Sequence, residues 1–248
     1  MKAHPSAVVS TRAEIAPDVE IGPYAVIEAG VRIGAGTRIL AHAVITGRTT
    51  IGERNVIHPF AVLGGEPQIR KKKDGTDKGS LAIGDDNVIR EHVTVNVSSA
   101  ETPTTIGGAN LIMAGSHVAH DVVIGSHCVI ANGVQLAGHA VVEDWVTFGG
   151  VAAVAQFVRI GASAFVAGAA MCERDVPPFV IVQGDRARVR ALNVVGLERR
   201  GVPAASIAAL KKAFAAVFVR RASSFAEAVR LLDRKDPFVD QLASALLR

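Results

Sequence analysis

Every sixth residue from Val9 onward is aliphatic: Val9, Ile15, Ile21, Ile27, Ile33, Ile39, Ile45, Ile51, Ile57, Leu63. The register lapses over 67–82 and resumes with Ile83, Ile89 and Val95. It lapses again near 101–105, then runs through Ile106, Ile112, Val118, Ile124, Ile130, Leu136, Val142, Phe148, Val154, Ile160 and Val166. An amphipathic helix repeats its apolar face every 3.6 residues and a half-buried strand every 2. Six is a multiple of 2 and not of 3.6, so the pattern predicts short strands separated by turns. Three hexads close an 18-residue triangular coil, and coils stack as parallel strands about 4.8 Å apart. The repeated aliphatic then points into a narrow prism. Gly often follows it, as in Ile21-Gly22 and Ile124-Gly125. Four places after it stands a small residue such as Ala25, Thr37, Ala43, Cys128 or Ala164.

A solenoid takes extra residues only as outward loops, so both lapses are expected to project. Beyond Val176-Pro177-Pro178 helical spacing replaces the period of six. Ile207, Leu210, Phe214, Val217 and Phe218 form one stripe; Phe225, Val229 and Leu232 a second; Phe238, Val239, Leu242 and Leu246 a third. Ser223 or Ser224 can cap the second helix. The expected fold is mainly β: a parallel β-helix over residues 1–178 followed by an α-helical domain over 179–248.

Composition agrees. Of 248 residues 49% are hydrophobic but only 4% aromatic, as expected if a prism of Ile, Val and Ala has little room for rings. The net charge of +4 is uneven: residues 178–248 hold 13 Lys+Arg against 6 Asp+Glu, and residues 1–177 hold 14 against 17. A basic tail suits phosphate groups or an acidic protein. Scarce stacking rings and the lack of a recognised motif argue against nucleic acid. Two cysteines cannot build a disulfide scaffold or a four-Cys zinc site. The N-terminus carries no apolar leader, and Gln156, Arg159, Gly161 and Ser163 interrupt the most apolar window, 151–172. A soluble cytoplasmic protein with no membrane span is expected.

The candidate chemistry follows from spacing. His120, Gly138 and Gln156 are 18 residues apart in turn, as are Asp121 and His139. In unbroken coils each set stacks on one edge. Histidine can move a proton near neutral pH. Asp121 can fix its orientation, and Gly138 can offer an open backbone N–H. His117, His120, His127 and His139 could instead gather a metal, but HxxH is a weak signal without cysteine, and no metal is expected. Cys128, at the small inward position of its hexad, reads as packing.

His117-Val118-Ala119-His120-Asp121, Leu136-Ala137-Gly138-His139, Gln156-Phe157, Asp175-Val176-Pro177-Pro178, Gln183-Gly184 and the run Asn193 to Gly201 resemble the hexapeptide-repeat acyltransferases. In order and spacing they look like the UDP-N-acetylglucosamine O-acyltransferase family of lipid A biosynthesis, over nearly the whole chain. The resemblance implies a left-handed β-helix and a homotrimer with sites between subunits. It also implies direct transfer of an acyl chain, such as a 3-hydroxyacyl chain, from acyl carrier protein to UDP-N-acetylglucosamine. No cofactor beyond the carrier's phosphopantetheine is implied. His120 becomes the general base, Asp121 its partner and the Gly138 N–H the oxyanion donor. His117, His139, Gln156, Gln68 and Lys71 become substrate contacts, and Asn193, Arg199 and Arg200 nucleotide contacts. Ile69, Ala155 and Val195 depart from the family's usual Asp, His and Glu, and 92–99 departs from its Arg-Gly-Thr run. These departures leave room for a paralogue that acylates another nucleotide sugar, or for a non-catalytic binding protein.

Overall fold

The computed structural model describes residues 1–70, 79–219 and 224–247. Strands of mostly two residues fall into three sheets, and as far as Met171–Cys172 each sheet takes every third strand along the chain. Pairing is parallel at a separation of 18: Lys2 opposite Glu20, Val26 opposite Val44, Val129 opposite Thr147. The sheets are the faces of a triangular prism, a left-handed parallel β-helix. The predicted aliphatics fill it. Ile27, Ile45, Leu63, Val95, Val118 and Leu136 run up one face, none more than 1% exposed.

The edges explain where the rings went. Many turns hold a residue in the left-handed region at a fixed place: Asp121, His139 and Phe157 (φ 61°, 61° and 64°) on one edge, His127, Trp145 and Ser163 (60°, 63° and 55°) on another. The rings at these places stack on their counterparts, His127 on Trp145 and His139 on Phe157. Tyr24, His42, Phe60 and His92 form an exposed ladder with centroids 5.0, 4.9 and 5.2 Å apart. Phe148 is the ring buried in the prism.

Inside the edge between the third and first sheets runs a buried polar ladder. The Asn55 N–H donates to Thr37 Oγ1 (3.2 Å), the Asn87 N–H to Asn55 Oδ1 (2.9 Å), the Asn110 N–H to Asn87 Oδ1 (2.9 Å) and the Cys128 N–H to Asn110 Oδ1 (2.7 Å). Each amide also closes the turn of a neighbouring coil; Asn87 Nδ2 donates to Gly107 O at 2.9 Å. Buried amides are tolerated because both ends are bonded.

Both insertions leave from the edge between the second and third sheets. Val56 pairs with Val88, and Thr94 with His117, so two coils exceed 18 residues. The bases of the insertions are laced together. Ser80 N–H donates to Ser98 Oγ, Ser98 N–H to Ser80 O and Thr104 N–H to Ser80 O, each at 3.0 Å. Gly79 allows this approach, since a Cβ there would stand 1.8 Å from Ser98 O.

The period of six ends near Pro178, but strand pairing continues. Val180–Gln183 pairs with Phe165–Val166, and Arg188–Leu192 folds back antiparallel on it. The helices are α1 (Val194–Arg199), α2 (Ala204–Phe214, continued by a π-type turn, Ala215–Val219), α3 (Phe225–Arg230) and α4 (Pro237–Leu246). Ile207, Leu210, Val239 and Leu242 pack around Phe179, and Val217 and Val229 with Ala243, as their stripes predict; Phe225 is exposed. Ser224 caps α3, accepting the Glu227 N–H, while Ser223 lies outside the described residues. Among the described residues, no helix is long and apolar enough to cross a membrane.

Candidate active site

The edge that carries both insertions also carries His120 and Asp121, in the coil that follows them. The predicted columns form. The His139 N–H donates to His120 O (3.1 Å) and the Phe157 N–H to Gly138 O (3.2 Å), so each turn sits on the one before. Phe157, 70% exposed, stacks on the His139 ring at 4.6 Å, and His139 meets His120 edge-on at 5.3 Å.

His120 is buried, 7% exposed, with Nδ1 2.6 Å from Asp121 Oδ2. Asp121 also receives the Ser99 hydroxyl (2.5 Å) and the Ser99 N–H (3.1 and 3.2 Å). Burial works to raise the Asp121 pKa, but the Ser99 and His120 hydrogen bonds and the nearby His139 outweigh it and hold the carboxyl below its ordinary value. Asp121 is therefore ionised and can only accept, which puts a proton on His120 Nδ1 and, in the neutral imidazole, the lone pair on Nε2. That edge of the ring lies against Gly138: a Cβ there would stand 2.7 Å from His120 Cε1 and 2.8 Å from Nε2. Gly138 is the second residue of a turn closed by the Ala140 N–H on Ala137 O (3.2 Å), a position whose own N–H the turn does not use. A lone-pair nitrogen beside a spare N–H can deprotonate a nucleophile and steady a developing oxyanion.

His120, Asp121 and His139 also bring one possible ligand atom each within 4.8 Å of one another. Two atoms bound to one zinc at its usual bond lengths stand roughly 3.3 Å apart. The 2.6 Å contact between His120 and Asp121 has the length of a charge-assisted hydrogen bond.

His117 is half-buried, and its Nδ1 meets Thr94 Oγ1 at 2.7 Å. Burial, helped by neighbouring His120, holds its pKa below the ordinary histidine value. Gln156 is exposed on the His120–Gly138 column, beside exposed Ala155. Gln68 and Ile69 are exposed where the first insertion leaves the prism; Lys71 lies outside the described residues. Asn193 sits on a different edge of the same chain. Its Nδ2 donates to Ser163 O (2.8 Å) and its Oδ1 caps α1 by accepting the Gly196 N–H (3.1 Å), so both polar ends are engaged inside the protein. Arg200 donates to Ser163 Oγ (2.7 Å) and lies 5.4 Å from the Trp145 ring centre. Arg199 is exposed in the last turn of α1, and Val195 is exposed on the same helix. Burial pushes the thiols up, Cys128 to about 12 and Cys172 to about 11, as expected of packing residues. Sequence spacing did not single out Ser99 or Thr94. Ser99 enters from an insertion that breaks the register, so no period links it to Asp121.

A family model described as UDP N-acetylglucosamine O-acyltransferase, domain 2, matches residues 175–247. The bacterial transferase hexapeptide model matches 12–47, 30–65 and 103–138. An acyl-[acyl-carrier-protein]--UDP-N-acetylglucosamine O-acyltransferase from Halorhodospira halophila is 43% identical over 242 residues, 97% of this chain and 90% of its own. One from Syntrophobacter fumaroxidans is 42% identical over 221 residues, covering 88% and 85%. Among solved structures, a UDP-N-acetylglucosamine acyltransferase from Campylobacter jejuni matches with a TM-score of 0.93 at 33% identity, over 100% of this chain and 96% of that one. One from Arabidopsis gives 0.84 at 34% identity, covering 98% and 94%.

Proposed function

The chain belongs to the UDP-N-acetylglucosamine O-acyltransferase family, and from that premise we propose that it moves an acyl chain from acyl carrier protein to a hydroxyl of UDP-N-acetylglucosamine, early in lipid A biosynthesis. The observation that carries the reading is the His120–Asp121 pair with the imidazole against Gly138. His120 Nε2 takes the proton of the sugar hydroxyl as its oxygen attacks the thioester carbonyl. The Gly138 N–H steadies the oxyanion. The C–O bond forms, the C–S bond breaks, and the imidazolium returns its proton to the leaving thiolate. Asp121 keeps the tautomer and offsets the transient positive charge.

The reading includes a 3-hydroxyacyl donor and a cytoplasmic homotrimer whose sites lie between subunits. No cofactor is needed beyond the carrier's phosphopantetheine. His120 and the Asn193–Arg200 segment occupy different edges of one chain, which favours a site completed by a neighbour. Residues 1–178 then supply the base, and 179–248 supply nucleotide contacts through Arg199, Arg200 and the Asn193 turn. His117, His139, Gln156, Gln68 and Lys71 contact the sugar and its phosphates. The test is acyl transfer with purified carrier protein and a panel of nucleotide sugars. Turnover with UDP-N-acetylglucosamine that falls at least about 1000-fold in His120→Ala is expected. Turnover unchanged in that variant sinks the general-base role, and preference for another sugar moves the acceptor.

A further inference from the structure

We propose that Ser99, on the second insertion, is a positioning residue that clamps the Asp121 carboxylate against His120. The proposal deepens the acid–base reading above and rests on it. One oxygen, Asp121 Oδ2, receives both the Ser99 hydroxyl at 2.5 Å and the His120 Nδ1–H at 2.6 Å, and the Ser99 N–H spans the two carboxylate oxygens at 3.1 and 3.2 Å. A carboxylate held by three donors has little freedom to turn away from the imidazole.

The loop that brings Ser99 is itself fixed. Ser98 is buried, 1% exposed; its Oγ donates to Ala100 O (2.8 Å) and accepts the Ser80 N–H (3.0 Å). At the far end of the loop, buried Thr104 Oγ1 accepts the Asp121 N–H (2.8 Å) and pins the left-handed turn that presents the carboxylate. The extra residues of this coil therefore build a socket for one side chain of the following coil.

Among the described residues the titratable neighbours of Asp121 are few. His139 Nε2 approaches Oδ2 at 3.6 Å from the next coil, His117 lies on the strand that leads to His120, and Glu101 is exposed on the same loop. Ser99 is neutral, so removing its hydroxyl alters no charge. It takes one donor from the anion and leaves the carboxyl easier to protonate.

The test is a 13C NMR titration of aspartate-labelled full-length protein without substrates, with Asp121→Asn assigning the resonance. Ser99→Ala is expected to raise the Asp121 midpoint by roughly one pH unit, and Ser99→Thr, which keeps the hydroxyl, to stay close to wild type. At pH 7.5 the alanine variant should lose roughly tenfold in kcat with KM for the sugar nucleotide unchanged, the mark of an interaction made in the transition state. An Asp121 midpoint that does not move, a threonine variant that behaves like alanine, or an unchanged kcat overturns the proposal. The titration is read without turnover. Failure of the acyl-transfer reading would show in the wild-type assay, and failure of the clamp in the spectra.

Discussion

Gly138→Ala isolates one contact. Gly138 is not among the residues with positive φ, so an alanine adopts its backbone without strain. The variant keeps the N–H assigned to the oxyanion. Its new methyl, however, would stand 2.7 and 2.8 Å from His120 Cε1 and Nε2, where carbon contacts normally begin near 3.5 Å. The ring must retreat by roughly 0.7 Å to reach that distance. Asp121 anchors the adjacent Nδ1 at 2.6 Å, so the retreat strains that bond or tilts the lone pair away from the hydroxyl. A displacement near 1 Å costs on the order of 100-fold in rate, and crowding a packed site costs about 1–3 kcal/mol of stability. The assay is steady-state kinetics beside a urea melt, with Gly150→Ala as control, since a Cβ there would meet only Asn132 O at 3.6 Å. Expected is a kcat reduced about 100-fold, with nucleotide affinity near wild type and an unaffected control. A Gly138→Ala enzyme within about threefold of wild-type kcat would refute the claim that this close approach sets the position of the base.

Asn87→Ala should destabilise the prism by about 2–4 kcal/mol, read as a lower urea midpoint, because it orphans the Asn110 N–H and Gly107 O inside the ladder; a loss under about 1 kcal/mol would mean that water replaces the amide. His117 supplies a pH dependence. Its folded pKa is depressed, so its contribution is fully present above the ordinary histidine value of about 6.5 and is lost as pH falls through the folded value. Denaturation at pH 7.5 and 5.5 should therefore show a smaller drop in His117→Asn than in wild type, and an equal drop would contradict the burial argument.

Much of this molecule is legible in sequence because period and geometry coincide. An aliphatic every sixth place can be satisfied only by short strands around a narrow axis, and a spacing of 18 translates directly into vertical neighbours. That alone stacks Gly138 on His120 and His139 on Asp121. Legibility stops where chain is added or where side chains turn inward. Ser99 reaches Asp121 across an irregular loop. The strand pairs at Val180–Gln183 and Arg188–Leu192 extend sheet structure past Pro178, since strand pairing does not need the hexad. Asn193 is spent on Ser163 and the start of α1, a local use that no motif reveals.

The two insertions also divide the chain into frames. Inside a coil, losing one residue from a strand would turn every following side chain inside out until the phase is restored. Residues 97–103 supply that restoring slack for the coils before them. From Thr104 to the end of the hexads no loop intervenes. The coils before the base can thus drift in length without disturbing it, whereas His120, Gly138 and Gln156 share one rigid frame. Substitutions can tune that frame, but a shift within it would dismantle the site.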